Sequence, residues 1–233
     1  SSHYSPEKEA ELVRMMLSRR VDAVVLTGTT HLESTRMMLQ RARLPVFEMW
    51  NLTDDPIDTV VGFSNYKAGH AMTCYLAERG YRRIAYLGGL TDRNDRTSSR
   101  EDGYRAALEE LGLGPAHVLR RPFDFRSGAD GLRELLVADP ETDAVFAASD
   151  VLAAGAVFEC QRQGWQIPGR VAVAGLDDSL LAAELYPSLT TVRLPRYEMG
   201  VRIGKELIER FEHRGQVSQF IDLGFEIIER DSA

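Results

Sequence analysis

The 233-residue sequence predicts an α/β fold built as two similar lobes, each a parallel sheet flanked by helices. Three observations carry the prediction. Short runs of β-branched and small apolar residues alternate with stretches of helical periodicity along nearly the whole chain. The short runs are continuously apolar, as in strands buried on both faces. After Gly88 and Gly89 the alternation pauses in a polar stretch and then starts a second series.

Taken in order, residues 6–20 read as an amphipathic helix, with Leu12, Val13, Met16 and Leu17 on one face and Glu7, Lys8, Glu11, Arg14 and Ser18 outside. A strand at 21–27, a helix at 32–42 and a strand at 44–49 follow, and 59–62 continues the series. Asn65 can cap a helix running to Arg79, which Gly80 ends in the C′ position before a strand at 83–87. In the polar stretch, Arg93, Arg96 and Arg100 interleave with Asp92, Asn94 and Asp95 and lead into a helix over 99–111. The second series has a strand at 118–121, a helix at 127–137, a strand at 143–148, a helix at 151–163 closed by Gly164, and a strand at 171–174. Asp178 or Ser179 can cap a short helix that Tyr186 and Pro187 end, and 189–193 is a strand stopping before Pro195. A helix over 197–213 repeats Met199, Ile203, Leu207, Ile208 and Phe211 at spacings of three and four, and 220–229 is a closing strand.

This reading places the first lobe at 1–89 plus about 194–214 and the second at 90–193 plus about 215–233, with crossings near 89–92 and at 190–192. Several crossings make a hinge, with a ligand expected between the lobes. The first recognisable element is a helix, so the strand–helix–strand that would open such a lobe is missing. Residues before Ser1 or a partner chain would supply it, and truncation is the reading adopted.

A hydrophobic content of 44% is ample for a packed core. The net charge of −7 argues against this chain gripping a phosphate backbone. No stretch is apolar enough to span a bilayer, and the first residues lack a signal-peptide pattern. Cys74 and Cys160 lie in apolar helical segments outside any CxxC or Cys/His cluster, which suits inert core thiols in a reducing cytoplasm. There is no GxSxG, HExxH, Walker loop or GxGxxG, and the five histidines are scattered, so neither catalysis nor a metal or cofactor is expected.

AGLDD at 174–178 followed by YPSLTTVRLP at 186–195 resembles the ligand-binding domain of the lactose/galactose-repressor (LacI/GalR) transcription regulators. LSRRVDAVVL at 17–26, Asn65 to Gly69, AERGYRRIAY at 77–86, REDGY at 100–104 and ASDVLAAGA at 148–156 match in the same order, so the resemblance covers essentially the whole chain. VGFSNYKAG at 61–69 with RNDRT at 93–97 is most similar to the gluconate-operon repressors. The resemblance implies a two-lobed, periplasmic-binding-protein-like fold and a helix-turn-helix that is absent from this chain, so DNA contact belongs to the parent protein.

It also implies where the ligand contacts lie. Arg100 matches the family arginine heading the second lobe's first helix, where a guanidinium can hold two oxygens of a carboxylate or vicinal diol; an ion pair to Asp177 or another acid is its alternative use. Asp177 matches the family acid and would accept hydrogen bonds from sugar hydroxyls or purine N–H groups, leaving Asp178 as the helix cap. Ser149 stands at a polar cleft position or caps the following helix. Phe123 matches an aromatic that stacks on the ligand, or packs in the core, and Asp124 beside it is a weaker candidate. Thr29 and His31 follow the strand ending at Thr27 as cleft residues, with a cap or surface role equally open to His31. Phe63 stands where many relatives carry aspartate, which lowers the demand for hydroxyl acceptors at that wall. Asn94 and Arg96 occupy the aligned contact positions and, with Arg93, could neutralise an anionic ligand, unless Asp92 and Asp95 cancel them in a solvated loop.

The function expected is that of a sensing domain in a dimeric, cytoplasmic transcription regulator. The effector would be a sugar, a sugar acid such as gluconate, or a purine. The rival reading is a periplasmic sugar-binding protein of a transport system, which shares the two-lobed fold; the segment from Pro187 to Pro195 and the low lysine content favour the regulator.

Overall fold

The expected alternation is present, but the chain sorts it into two units along different boundaries. The structure, a computed structural model, describes residues 1–2, 4–90, 94–213 and 219–233. Unit 1 is Ser1–Ser64, Asp92–Arg96 and Pro195–Gly224; unit 2 is Asn65–Thr91, Thr97–Leu194 and Phe225–Ala233.

In unit 1, β1 (Val24–Thr27), β2 (Val46–Met49), β3 (Thr59–Gly62) and β9 (Phe220–Asp222) form a four-stranded parallel sheet in the order β1-β2-β3-β9. Its helices are α1 (Pro6–Ser18), α2 (Glu33–Ala42) and α8 (Arg196–His213). Ser5 caps α1 by accepting from the Lys8 N–H, and Pro6 at the first helical position has no donor to leave unmet. Val13 of α1 and Leu39 of α2 pack on Val24, Leu26 and Val46, so alternate residues of β1 face this core while Val25 is exposed.

Unit 2 holds a six-stranded sheet in the order β10-β8-β7-β6-β4-β5, made of β4 (Ile84–Gly88), β5 (His117–Arg120), β6 (Ala144–Ala147), β7 (Ala172–Asp177), β8 (Thr190–Arg193) and β10 (Glu226–Ile228). All its pairings are parallel except β10 with β8. One face packs Ala85, Leu87, Val145, Ala147 and Val173 against Leu132 and Leu135 of α5 (Phe125–Ala138) and Leu152 and Val157 of α6 (Asp150–Gln163). The alternate residues Tyr86 and Phe146 point the other way, where Tyr104 of α4 (Asp95–Leu111) stacks on Tyr86 at 5.0 Å between ring centroids. α3 (Asn65–Glu78) contacts β4, β6 and β8, and the short α7 (Leu180–Glu184) follows β7.

Three expectations need correction. Residues 65–89 belong to unit 2, because β4 pairs with both β5 and β6 deep in that sheet. The single closing strand is two: β9 pairs with β3 in unit 1, and after Gly224, at a φ of +69°, β10 pairs with β8 in unit 2. α4 starts at Asp95 rather than Ser99, so Asp95 and Arg96 are helical and not part of a solvated loop. Its first turns are polar, which hides a helix from a reading of apolar periodicity.

α3 and α4 cross through glycines. A Cβ on Gly69 would run into the Arg100 carbonyl, and one on Gly103 into the Tyr66 carbonyl, so the two backbones approach as only glycine permits. This crossing fixes the height of Arg100 beside the start of α3.

Candidate functional site

Ligands of open α/β sheets bind at the carboxyl ends of the strands, and both units concentrate polar side chains there. In unit 1, the turn after β1 brings Gly28 and Thr29, and the one after β2 brings Asn51. The Asp95 carboxylate lies among them: its Oδ2 accepts from the Thr29 N–H at 2.9 Å, the Thr29 hydroxyl at 2.9 Å and the Asn51 amide at 3.0 Å. Arg96 places NH1 3.5 Å from Oδ1 and its guanidinium 5.7 Å from the centroid of the Tyr4 ring. Burial works against the charge on Asp95, but the Asn51 amide and the Thr29 donors hold its carboxyl below the usual carboxylate range. A cavity of about 480 Å³ in the same unit is lined by Tyr4, Glu9, Thr27, Thr30, Asp95 and Arg96 among others.

His31 is a buried clamp. No part of its side chain is exposed, with Nδ1 2.6 Å from Glu9 Oε1 of α1 and Nε2 3.3 Å from Glu48 Oε1 of β2. The second separation is an ion-pair distance without hydrogen-bond alignment. Burial alone would pull this imidazole down; the Glu48 and Glu9 carboxylates outweigh it and push the pKa up to about 9. The surface and cap readings of His31 are therefore replaced by a cationic residue tying α1 to the sheet. Phe63 is fully buried, and Asn94 is buried with 7% exposure.

In unit 2, Arg100 is 8% exposed. Its Nε donates to Asn65 Oδ1 at 2.7 Å and its NH1 to the Ala148 carbonyl at 3.0 Å, at the carboxyl end of β6. Asn65, expected to cap α3, is its first residue and uses its side chain to hold Arg100. Ser149 caps α6, its Oγ accepting from the Leu152 N–H at 3.3 Å. Asp177 ends β7 half-buried, with φ at +132°.

Asp178 does not cap α7. Ser179 takes that position without a side-chain bond, while Asp178 accepts from Arg193 Nε and Arg230 NH2, both at 2.7 Å. Burial raises the carboxyl of Asp178, but the Arg230 and Arg193 guanidinia bring it below the ordinary range. The buried Asp150 supports the same corner, accepting from the Ser179 N–H and the Thr191 hydroxyl at 2.6 Å each. Phe123 is 37% exposed with its ring against Gly89, where a Cβ would collide with it. Asp124 caps α5 through the Ser127 N–H at 2.7 Å, the main reason its carboxyl is held low. Arg93 and Asp92 lie outside the described residues.

A family model described as a periplasmic binding protein-like domain matches residues 73–233. The chain is 36% identical over 223 residues to the HTH-type transcriptional regulator GntR of Escherichia coli (strain K12), an alignment covering 95% of this chain and 67% of that protein. The crystal structure of the transcription regulator GntR from Chromobacterium violaceum superposes with a TM-score of 0.93 at 38% identity, covering 100% of this chain and 86% of that one. That of a LacI family transcriptional regulator from Silicibacter pomeroyi gives a TM-score of 0.93 at 33% identity, over 99% and 85% of the two chains. The chain belongs to the LacI family of transcriptional regulators.

As a LacI-family chain it is an effector-binding regulatory domain, and the transport-protein reading gives way. LacI-family regulators bind small-molecule effectors and operator DNA, generally as dimers. No helix among the described residues is long and apolar enough to cross a membrane. Against the expected contacts of this LacI-family domain, the structure puts Thr29 and Arg96 together at Asp95 in unit 1, and Arg100 and Ser149 together at the end of β6 in unit 2. Sequence reasoning missed Asn51 and the central place of Asp95, which local pattern does not reveal because their partners lie 44 and 66 residues apart in the chain.

Proposed function

We propose that this domain senses a sugar acid, D-gluconate being the leading candidate, and that the bound effector changes the operator affinity of the parent regulator. Arg100 carries the reading. Two hydrogen bonds fix its guanidinium at the strand edge, so the planar fork is set before a ligand arrives and loses little entropy in gripping a carboxylate or vicinal diol. Asp177 supplies an acceptor for hydroxyls from the same unit, Asn94 and Arg96 add donors, and Phe123 offers a partly exposed ring. Ser149, Thr29, His31 and Phe63 complete the expected contact set, with His31 and Phe63 acting from behind the surface.

The effector favours one of two conformations of the domain, and differential affinity for them is what moves the operator equilibrium. The regulator works as a homodimer in the cytoplasm, contacts DNA through a segment outside this chain, and catalyses nothing. A thermal-shift panel of D-gluconate, related sugar acids, neutral hexoses and purines, repeated on Asp177→Ala, tests the reading. Gluconate is expected to stabilise the wild type and to lose most of that effect in the variant. Stabilisation by neutral hexoses and not by gluconate would overturn the anionic-effector reading.

A further inference from the structure

His70 and Cys74 stand four residues apart on α3, so one turn of helix puts both side chains on the same face. The Cys74 thiol is free and half-buried, and its Sγ lies 3.6 Å from His70 Nδ1. Across the ring, His70 Nε2 is 2.8 Å from Oε2 of Glu110, near the end of α4. In the neutral ring, an Nε2–H donating to that carboxylate leaves the Nδ1 lone pair bare and turned toward the sulfur. Tyr66, one turn earlier on α3, stacks on the imidazole at 6.3 Å between centroids and 24° between planes, which holds the ring in this orientation.

Two chemistries use a thiol beside an imidazole, nucleophilic attack and metal ligation, and the surroundings separate them. Burial, then the Glu110 and Glu78 carboxylates, push the Cys74 thiol up, which makes it a poor nucleophile. The same carboxylates attract a cation, whose charge reverses their effect on the sulfur. The spacing fits as well. A tetrahedral zinc ion, about 2.3 Å from sulfur and about 2.0 Å from nitrogen, sets those two atoms roughly 3.5 Å apart, close to the 3.6 Å between Cys74 Sγ and His70 Nδ1. A carboxylate on the far nitrogen of a ligating histidine is the usual outer partner that orients the ring, and Glu110 stands there.

We propose that His70 and Cys74 are two ligands of a borderline-soft divalent cation of the zinc class on unit 2, with Glu110 as the orienting partner. Among the described residues no three metal-ligating side chains are already drawn together, so the remaining positions fall to water and to Glu78, exposed one turn beyond Cys74. Such an open shell makes the cation exchangeable, unlike the closed shell of a structural zinc centre. When bound, it braces α3 against α4 beside Gly69, where the two helices cross. The inference is independent of the sugar-acid reading, because it uses none of the residues proposed to touch the effector.

Titration of the metal-free, reduced 233-residue chain with Co²⁺, followed by competition with Zn²⁺, tests this. Cobalt should produce a thiolate-to-metal charge-transfer absorption at one cation per chain, and zinc should bleach it. Cys74→Ser should abolish the absorption. His70→Gln should weaken both cations by at least about tenfold, and Glu110→Gln should weaken them by about tenfold while keeping the absorption. Cys160→Ala should leave the absorption intact, since Cys160 is fully buried on α6. A readout that depends on no variant comes from alkylation: in the wild type, zinc should slow the reaction of Cys74 with iodoacetamide, followed by mass spectrometry of the Cys74 peptide. An absorption missing from the wild type or surviving Cys74→Ser, zinc binding unchanged by His70→Gln, or alkylation of Cys74 at equal rates with and without zinc overturns the proposal.

Discussion

The two units treat a carboxylate at the sheet edge in opposite ways. Asp95 in unit 1 accepts hydrogen bonds from uncharged donors, Thr29 and Asn51, with Arg96 in a longer ion pair at 3.5 Å; Asp178 in unit 2 is gripped by Arg193 and Arg230 directly at 2.7 Å. Both carboxyls are held low, with different weights: chiefly the Asn51 and Thr29 dipoles with Arg96 behind them in one case, two bonded guanidinia in the other. Removing Asp95 leaves the neutral Thr29 and Asn51 donors, which water can satisfy, and one arginine, Arg96, stacked near the Tyr4 ring. Removing Asp178 takes a shared carboxylate from two guanidinia, leaving Arg193 with Glu226 and Arg230 with the Leu189 carbonyl. Asp178 is therefore a structural rivet joining β7, β8 and the final segment.

The largest expected effect follows from the rivet. Asp178→Ala should lower the stability by about 2–3 kcal/mol, the half-exposed Arg193 moderating the penalty. In a thermal melt this is a fall of roughly 5–10 °C, whereas Asp95→Asn should stay within a few degrees of the wild type. Equal losses would erase the distinction between the corners.

Next in size is the glycine crossing beneath Arg100. Gly69→Ala should cost about 1–3 kcal/mol despite the better helix propensity of alanine, because the new methyl meets the Arg100 carbonyl. Gly200→Ala in α8, where a Cβ meets nothing within 4 Å, should instead stabilise by about 0.5–1 kcal/mol. Chemical-denaturation midpoints of the two variants should move in opposite directions; a stable Gly69→Ala would mean that the crossing does not position Arg100.

The smallest effect concerns the clamp in unit 1. The folded-state pKa of His31 stands at about 9, above the ordinary 6.5, so its contribution is complete below pH 6.5 and is lost as the pH rises through about 9. Denaturation midpoints should therefore fall across that window in the wild type and hold nearly level in His31→Gln. A wild-type curve parallel to that of the variant would show that His31 is not charged between Glu9 and Glu48.

Much of this was legible in the sequence. The strand runs at 24–27, 46–49, 144–147 and 172–177 announce themselves by composition, and YPSLTTVRLP at 186–195 points to the family. What was hidden is which sheet each strand joins: only the pairing of β4 with β6 and of β9 with β3 assigns them to different units. The same limit applies to the sites. Arg100 could be placed by resemblance, but the hydrogen bond that orients it is donated to Asn65, a residue that reads locally as a cap. Asp178 likewise reads as a cap until Arg230, distant in the chain, arrives beside it.

The most direct test of the central claim is calorimetric titration of D-gluconate into the wild type, Arg100→Lys and Arg100→Ala. The fixed guanidinium fork predicts measurable binding by the wild type, a clear loss in Arg100→Lys because a point charge cannot reproduce two parallel bonds, and a loss of about 30-fold or more in Arg100→Ala. Gluconate binding of equal strength in all three proteins would contradict the account.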